Sequence, residues 1–158
     1  MELFALNEWI WADISGANGT SHISLAIQFL EAFIKSPHQI VVVSGSPFDQ
    51  KAWDICRSQH SLGKRVAKLF VVQIRQDETR ARIVSPSELK ELPSALADQI
   101  KDDDRYLVRT LVTFPEAILV TTDTPLRSIL SERNLKAISR EEFLQRYFGI
   151  SEGRVDLH

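Results

Sequence analysis

Acidic and amide residues stand at four places where an apolar run gives way to a turn or to the start of a helix: Asn7-Glu8, Ser44 through Asp49, Asp103-Asp104 and Thr121-Thr122-Asp123. Carboxylates drawn together repel one another unless a cation neutralises them, and hard oxygen donors select Mg²⁺ or Mn²⁺. A cation so held activates a water and stabilises the charge that develops on a phosphodiester under in-line attack. Ser44 and Thr121 are polar groups suited to orient a ligating carboxylate or a water. Lys51, Arg105 and Arg109 stand close to the acids in sequence and suit phosphate, the group that dominates nucleic-acid affinity. Taken singly, each Asp reads as a helix cap or a solvated end. The metal reading rests on all four positions together.

For these positions to meet, they must lie at one edge of a sheet. Leu3 to Leu6 is an apolar run that Trp9, Ile10 and Trp11 extend, and it reads as a buried strand closed by the turn at Ser15 to Gly19. With Ser21 as cap, Ile23, Ile27, Leu30 and Ile34 follow helical spacing up to Ser36-Pro37. Ile40 to Val43 is β-branched and apolar throughout, the pattern of a parallel strand covered on both faces. Pro47 then opens a helix through Lys51, Trp53 and Cys56.

Between Leu69 and Val84 two apolar runs flank a polar turn, and a hairpin and a helical reading both stand. Pro86 and Pro93 bracket a short polar helix, Ser87 to Leu92, with Ser87 as cap. The triplet Asp102 to Asp104 opens a helix through Tyr106, Leu107, Thr110, Leu111 and Phe114, where carboxylates meet the positive end of the dipole. Ile118 to Thr121 is a further strand, Asp123-Thr-Pro125 opens a helix, and Lys136 to Ile138 is a short last strand. Ser139 and Glu142 form a capping box for a closing helix that reaches Tyr147 or Phe148. This alternation predicts an α/β fold, a three-layer α/β/α sandwich around a mostly parallel sheet, with chemistry beyond the carboxyl ends of its strands.

The chain has 158 residues, expected as one domain over residues 1–148 and a tail over 149–158. A net charge of −2 leaves any attraction for nucleic acid to local patches and bound cations. The single cysteine, Cys56, excludes an internal disulfide and a cysteine zinc site. Without a signal-like start or a membrane-length apolar run, a cytoplasmic location and no membrane contact are expected. His22, His38, His60 and His158 share no ligand spacing, and Trp9, Trp11 and Trp53 read as buried or interface residues. A flavodoxin-like or other nucleotide-binding reading lacks a glycine-rich loop, since Ser44 to Pro47 contains one glycine.

Asp-Asp-Arg-Tyr-Leu-Val-Arg, residues 103 to 109, resembles the acid-opened helix of the PIN-domain nucleases. Ile118-Leu-Val-Thr-Thr-Asp-Thr-Pro-Leu126 resembles their strand ending in Thr-x-Asp, and Asn134 to Leu144 resembles their closing strand and helix. The interval between Asp104 and Asp123 is also close to that family's span. The resemblance implies a PIN-like fold and a divalent-metal-dependent endoribonuclease, most specifically a VapC-like toxin of a bacterial toxin-antitoxin pair. It implies Asp49, Asp104 and Asp123 as metal acids for Mg²⁺ or Mn²⁺, with Asp103 as rival to Asp104. RNA, a cognate antitoxin and a second copy of the chain are the implied partners.

One position departs from the family pattern: Asn7 stands where the first acid is expected, an amide that can ligate but brings no charge. Three explanations stay open: Glu8 substitutes, Asn7 is natural and the domain attenuated or non-catalytic, or Asn7 is an engineered inactivation. Strand alternation would turn Glu8 away from Asn7. The alternative reading is therefore a non-catalytic PIN-like module that binds RNA or protein.

Overall fold

A computed structural model describes residues 1–59 and 61–151, Ser61 through its backbone alone. His60, His158 and the part of the expected tail from residue 152 onward lie outside the described residues. Five strands, β1 (Leu3–Leu6), β2 (Gln39–Val43), β3 (Ala81–Val84), β4 (Ile118–Val120) and β5 (Ala137–Ile138), form one sheet in the order β3-β2-β1-β4-β5. Every pairing is parallel, with Phe4 opposite both Ile40 and Ile118. The chain steps outward from β1 to β3, then crosses back to place β4 on the other side of β1. The order of strands thus reverses between β1 and β4, and at such a switch point a parallel sheet opens a crevice beyond its strand ends.

The strands β1 and β4 are apolar and buried throughout, as is β2 from Ile40, because helices cover both faces there, whereas the edge strand β3 exposes Arg82 and Ile83. Phe4, Leu6, Ile40, Val42, Ile118 and Val120 turn to one layer, and Leu3, Ala5, Val41, Val43 and Leu119 turn to the other. The helices among the described residues are α1 (Trp9–Ile14), α2 (Thr20–Ile34), α3 (Pro47–Cys56), α4 (Ser61–Phe70), α5 (Ser94–Ala97), α6 (Arg105–Thr113), α7 (Thr124–Glu132) and α8 (Arg140–Phe148). The first face packs against α1 to α4 and α8, the second against α5 to α7. The sandwich expected from the alternation is therefore the observed fold.

Phe143 of α8 sits at the centre of the first layer, with ring centroids 4.8 Å from Phe4, 5.2 Å from Phe29 and 5.3 Å from Phe148. A buried ion pair ties α8 to α1: Arg140 Nη1 donates to both carboxylate oxygens of Asp13, at 2.9 and 3.2 Å. Asn18 Nδ2 donates to the same carboxylate.

Three local expectations are corrected and one open segment is resolved. The first strand stops at Leu6, and Trp9 to Ile14 is helix α1, because Trp9, Ile10, Trp11 and Ile14 are all buried against the first layer. A run that is apolar in every direction carries no period, so strand and helix look alike in sequence. Helix α2 begins at Thr20, with Gly19 rather than Ser21 at the cap position and at φ 94°, a conformation that favours glycine. In the segment left open, the first apolar run is helical: α4 continues into a π-helical turn, Val71–Arg75, which places Phe70 and Ile74 in the core. The second run is the edge strand β3. The expected helix Ser87–Leu92 is instead a 3₁₀ turn, Pro86–Glu88, closed by a Ser85–Glu88 capping box. Ser85, not Ser87, is its cap.

Truncating Phe143 to Ala removes the ring on which the first layer converges. The expected loss is about 3–5 kcal/mol of unfolding free energy, read from urea denaturation. A loss within experimental error would show that α8 is not part of the cooperative core.

Candidate metal-binding site at the switch point

The ends of β1 and β4 are joined by a small set of hydrogen bonds. The Val120 carbonyl accepts from the Asn7 backbone N–H at 3.1 Å and from the Trp9 indole N–H at 3.0 Å. The fully buried Thr121 Oγ1 accepts from Asn7 Nδ2 at 3.0 Å and from the Asp123 N–H at 3.2 Å. Asn7 Oδ1 accepts from the Glu8 N–H at 2.7 Å, which fixes the amide with its NH₂ toward Thr121. Thr121 thereby orients both expected site residues at this edge.

Asp104 and Asp123 line one small cleft, close enough that the Asp123 charge acts on Asp104. The Asp104 carboxyl is pushed above its ordinary value of 3.8, first by burial and then by the negative charge of Asp123; Lys101 opposes the rise and Asp103 adds to it. Asp104 occupies the N-cap position of α6, yet its side chain makes no capping bond, nor any other hydrogen bond among the described residues. Asp123 does cap its helix, through Oδ1 and the Leu126 N–H at 3.0 Å, which leaves Oδ2 unengaged. Asp103 is exposed where Asp104 is half-buried, so the structure favours Asp104 of the two rivals.

Glu8 joins this group, contrary to the expectation that it would turn away. Because β1 ends at Leu6, Glu8 is the αR cap residue of α1 rather than part of a strand, and alternation no longer applies. Burial pushes its carboxyl up, Lys51 opposes that, and Asp104 and Asp103 add to it. Asn7, Glu8, Ala12, Lys101, Asp103 and Asp104 line a common hollow of about 410 Å³.

Asp49 does not join them. Its carboxylate, 3% exposed, is gripped by Arg75, with Nε donating to Oδ1 at 2.7 Å and Nη2 to Oδ2 at 3.0 Å, and it accepts from the Gly45 N–H as well. Its negative charge is neutralised inside the fold, and Asp49 pins the end of β2 to the turn after α4. Two of the expected phosphate contacts are likewise committed elsewhere. Arg109 donates to the Pro86, Leu89 and Lys90 carbonyls, and Arg105 to the Ile100 carbonyl and to Asp102. Ser44 is exposed at the turn, whereas Ser46 is buried and caps α3. Lys51 is exposed and makes no hydrogen bond or ion pair among the described residues.

Sequence reasoning missed two groups. Lys101 lines the hollow beside Asp104, and its place directly before the aspartate triplet was the available signal. Tyr106 carries a buried hydroxyl beside the Phe48 backbone and the Ser46 side chain, and burial and the Glu8 charge raise its pKa. No sequence signal separates it from an ordinary core tyrosine.

No protein-family model matches the chain, and no curated protein matches it. Among solved structures, the chain is similar to the crystal structure of VapBC2 from Rickettsia felis bound to a DNA fragment from their promoter. The TM-score is 0.52 over 87% of this chain and 98% of that one, at 15% sequence identity. At that identity the likeness is one of fold. Among the described residues, no helix is long and apolar enough to cross a membrane.

The donor set is a fit for one hard cation. Mg²⁺ is commonly held by one or two carboxylates and completes its shell with water and phosphate oxygens. Asp104 and Asp123 supply two such carboxylates, both with free oxygens, and their repulsion is what a cation relieves. Among the described residues, no three His, Cys, Asp or Glu side chains come close enough together to hold an ion. The chain therefore offers an acidic pair rather than a closed cage of acids.

Two outcomes follow. Native Asp104 holds its proton more tightly than the unfolded chain does. Its destabilising charge is thus absent below 3.8, grows as pH rises through the raised native value and is complete at neutral pH. Asp104→Asn should raise the melting temperature at neutral pH in metal-free buffer, and the gain should vanish below the ordinary carboxylate value. Asp49→Asn should cost about 3 kcal/mol of stability, as loss of one partner in a buried pair does, and leave Mn²⁺ affinity unchanged by calorimetry. A folded Asp49→Asn protein with lost Mn²⁺ affinity would return Asp49 to the metal set.

Proposed function

We propose that the chain is a PIN-type, divalent-metal-dependent endoribonuclease, the toxin of a toxin-antitoxin pair. The observation that carries this reading is the Asp104–Asp123 pair, half-buried, without an ion pair among the described residues and set at the switch point of a parallel sheet. Asp104 and Asp123 would hold Mg²⁺ or Mn²⁺, which when bound supplies an activated water and charge neutralisation on the phosphodiester. Glu8, whose carboxyl is raised by burial, is the group suited to take a proton from an attacking water. Lys51 and Lys101 are the cations free to meet phosphate. Thr121 holds Asn7 and Asp123 in register.

The VapBC2 assembly to which the fold is similar is described as bound to promoter DNA. It supports, for this chain, the proposal of a cognate antitoxin as partner. A homodimer and a cytoplasmic location belong to the same reading, and the dimer is checked by light scattering of the purified protein.

A second reading, a non-catalytic PIN-like module that binds RNA or protein, is favoured by one observation. Both ends of the Asn7 amide are already engaged, Oδ1 by Glu8 and Nδ2 by Thr121. Asn7 therefore brings no charge to the hollow, and its carbonyl oxygen already accepts one hydrogen bond. At position 7 an Asp would keep the Glu8 N–H bond and could accept the Thr121 hydroxyl proton, so Asn7→Asp should fold. Mn²⁺ titration and cleavage of a single-stranded RNA decide between the two. Metal binding in the native chain that is lost in Asp104→Asn and strengthened in Asn7→Asp, with cleavage at least tenfold faster in Asn7→Asp, supports the nuclease. A folded Asn7→Asp protein that neither binds Mn²⁺ nor cleaves would falsify it.

A further inference from the structure

The hollow that Asp104 lines shares Glu8 and Ala12 with a larger groove of about 550 Å³ between α1 with its following turn and α3. Trp11, Ala12 and Ala17 line one side, and Lys51, Ile55 and Ser58 line the other. Its volume lies within the range of small-molecule sites.

Two groups in this groove lack the partners their chemistry calls for. Trp11 is 2% exposed, and its indole N–H is buried without a hydrogen bond among the described residues. A buried donor left unmet is destabilising, and native folds retain few of them. The Trp11 ring is itself held firmly, by Phe70 at 5.0 Å edge-on and by Phe48 at 5.2 Å. Lys51, on the opposite wall, has no hydrogen bond or ion pair among the described residues, and the Glu8 carboxylate of the same groove acts on it only at longer range. The remaining acid of the groove, Asp54, is taken by Arg57 at 3.0 Å. The groove thus combines an apolar wall that carries an unmet buried donor with an exposed cation, next to the hollow that Asp104 lines.

We propose that this groove is a nucleotide subsite: it seats the base beside the phosphodiester held at Asp104 and Asp123, the Trp11 N–H donates to a base carbonyl, and Lys51 meets the flanking phosphate. The proposal rests on the nuclease reading for the identity of its ligand. It adds that cleavage depends on the flanking base, because only a nucleobase with an acceptor carbonyl meets the Trp11 donor and fills the apolar part. A bare phosphate chain would meet Lys51 alone. Helix α1 is what builds the subsite, since it sets Trp11 one helical turn beyond Glu8 and so joins groove to acid pair.

The test reads the indole N–H resonances of ¹⁵N-labelled full-length protein, with Ca²⁺ in place of Mg²⁺, while a single-stranded oligoribonucleotide is added. The Trp11 signal is assigned by its loss in Trp11→Phe, or from through-bond spectra where that variant does not fold. The expected result is a Trp11 shift with the oligoribonucleotide and none with an abasic sugar-phosphate oligomer of equal length. Lys51→Gln, at an exposed position, should weaken oligoribonucleotide binding about tenfold, the effect of one charge-assisted hydrogen bond. An unmoved Trp11 signal in a protein that binds Mn²⁺ and RNA overturns the subsite and leaves the nuclease reading standing. Absence of both RNA and Mn²⁺ binding overturns the two together. A Trp11 signal that moves only when a partner protein is bound reassigns the groove to that partner.

Discussion

The junction between β1 and β4 is the constraint on which the rest of the site depends. Two donors, the Asn7 backbone and the Trp9 indole, converge on the Val120 carbonyl, and two more, the Asn7 amide and the Asp123 backbone, converge on Thr121 Oγ1. Because β1 and β4 are neighbours only at the point where the strand order reverses, this junction lies where the sheet leaves a crevice. It ends β1 at Leu6, turns the chain into α1 and so brings Glu8 and Trp11 to the rim. On the other side it sets the start of α7 and with it Asp123. The buried, apolar strands behind it leave these polar ends no alternative partners inside the sheet.

The acids of the chain meet contrasting fates, and the contrast locates the chemistry. Asp13 is buried against Arg140 Nη1, and Asp49 is buried against the bidentate guanidinium of Arg75; in both the arginine neutralises the charge and the pair locks elements together. Among the described residues, neither Asp104 nor Asp123 is gripped by an arginine. The fold sets the two carboxylates near each other with only Lys101 acting on Asp104, an arrangement that is costly in the absence of a ligand. An acid perturbed as Asp104 is belongs to the kind that concentrates at functional sites, whereas neutralised ones hold structure. The same distinction applies to the cations: Arg105 and Arg109 fasten loops through backbone carbonyls, while Lys51 has no such commitment.

Much of the fold was legible in the chain. The β-branched runs at Ile40 and Ile118, Pro47 and Pro125 at helix starts, and the Ser139 cap all correspond to the elements expected of them, because each signal is local. Failures came where local signals were silent. Trp9 to Ile14 is apolar on every side and has no period to read, and the run from Leu69 to Ile74 is helical because Phe70 and Ile74 reach the core one turn apart. In the site, Asp104 and Asp123 were legible from their places at a helix start and a strand end. Asp49 looked equivalent by the same rule, and its difference lies in Arg75, a residue distant in sequence.

The sequence by itself determined the alternation of strands and helices, the polar residues at the strand ends and the amide at position 7, since these depend on residue type and near neighbours. Only the tertiary structure decided which carboxylates stand together, which are neutralised, and that Glu8 and Trp11 share a rim with Asp104. The physical reason is that charge and hydrogen-bond partners act over a few ångströms in space, and the folded sheet, not the order of residues, sets those distances.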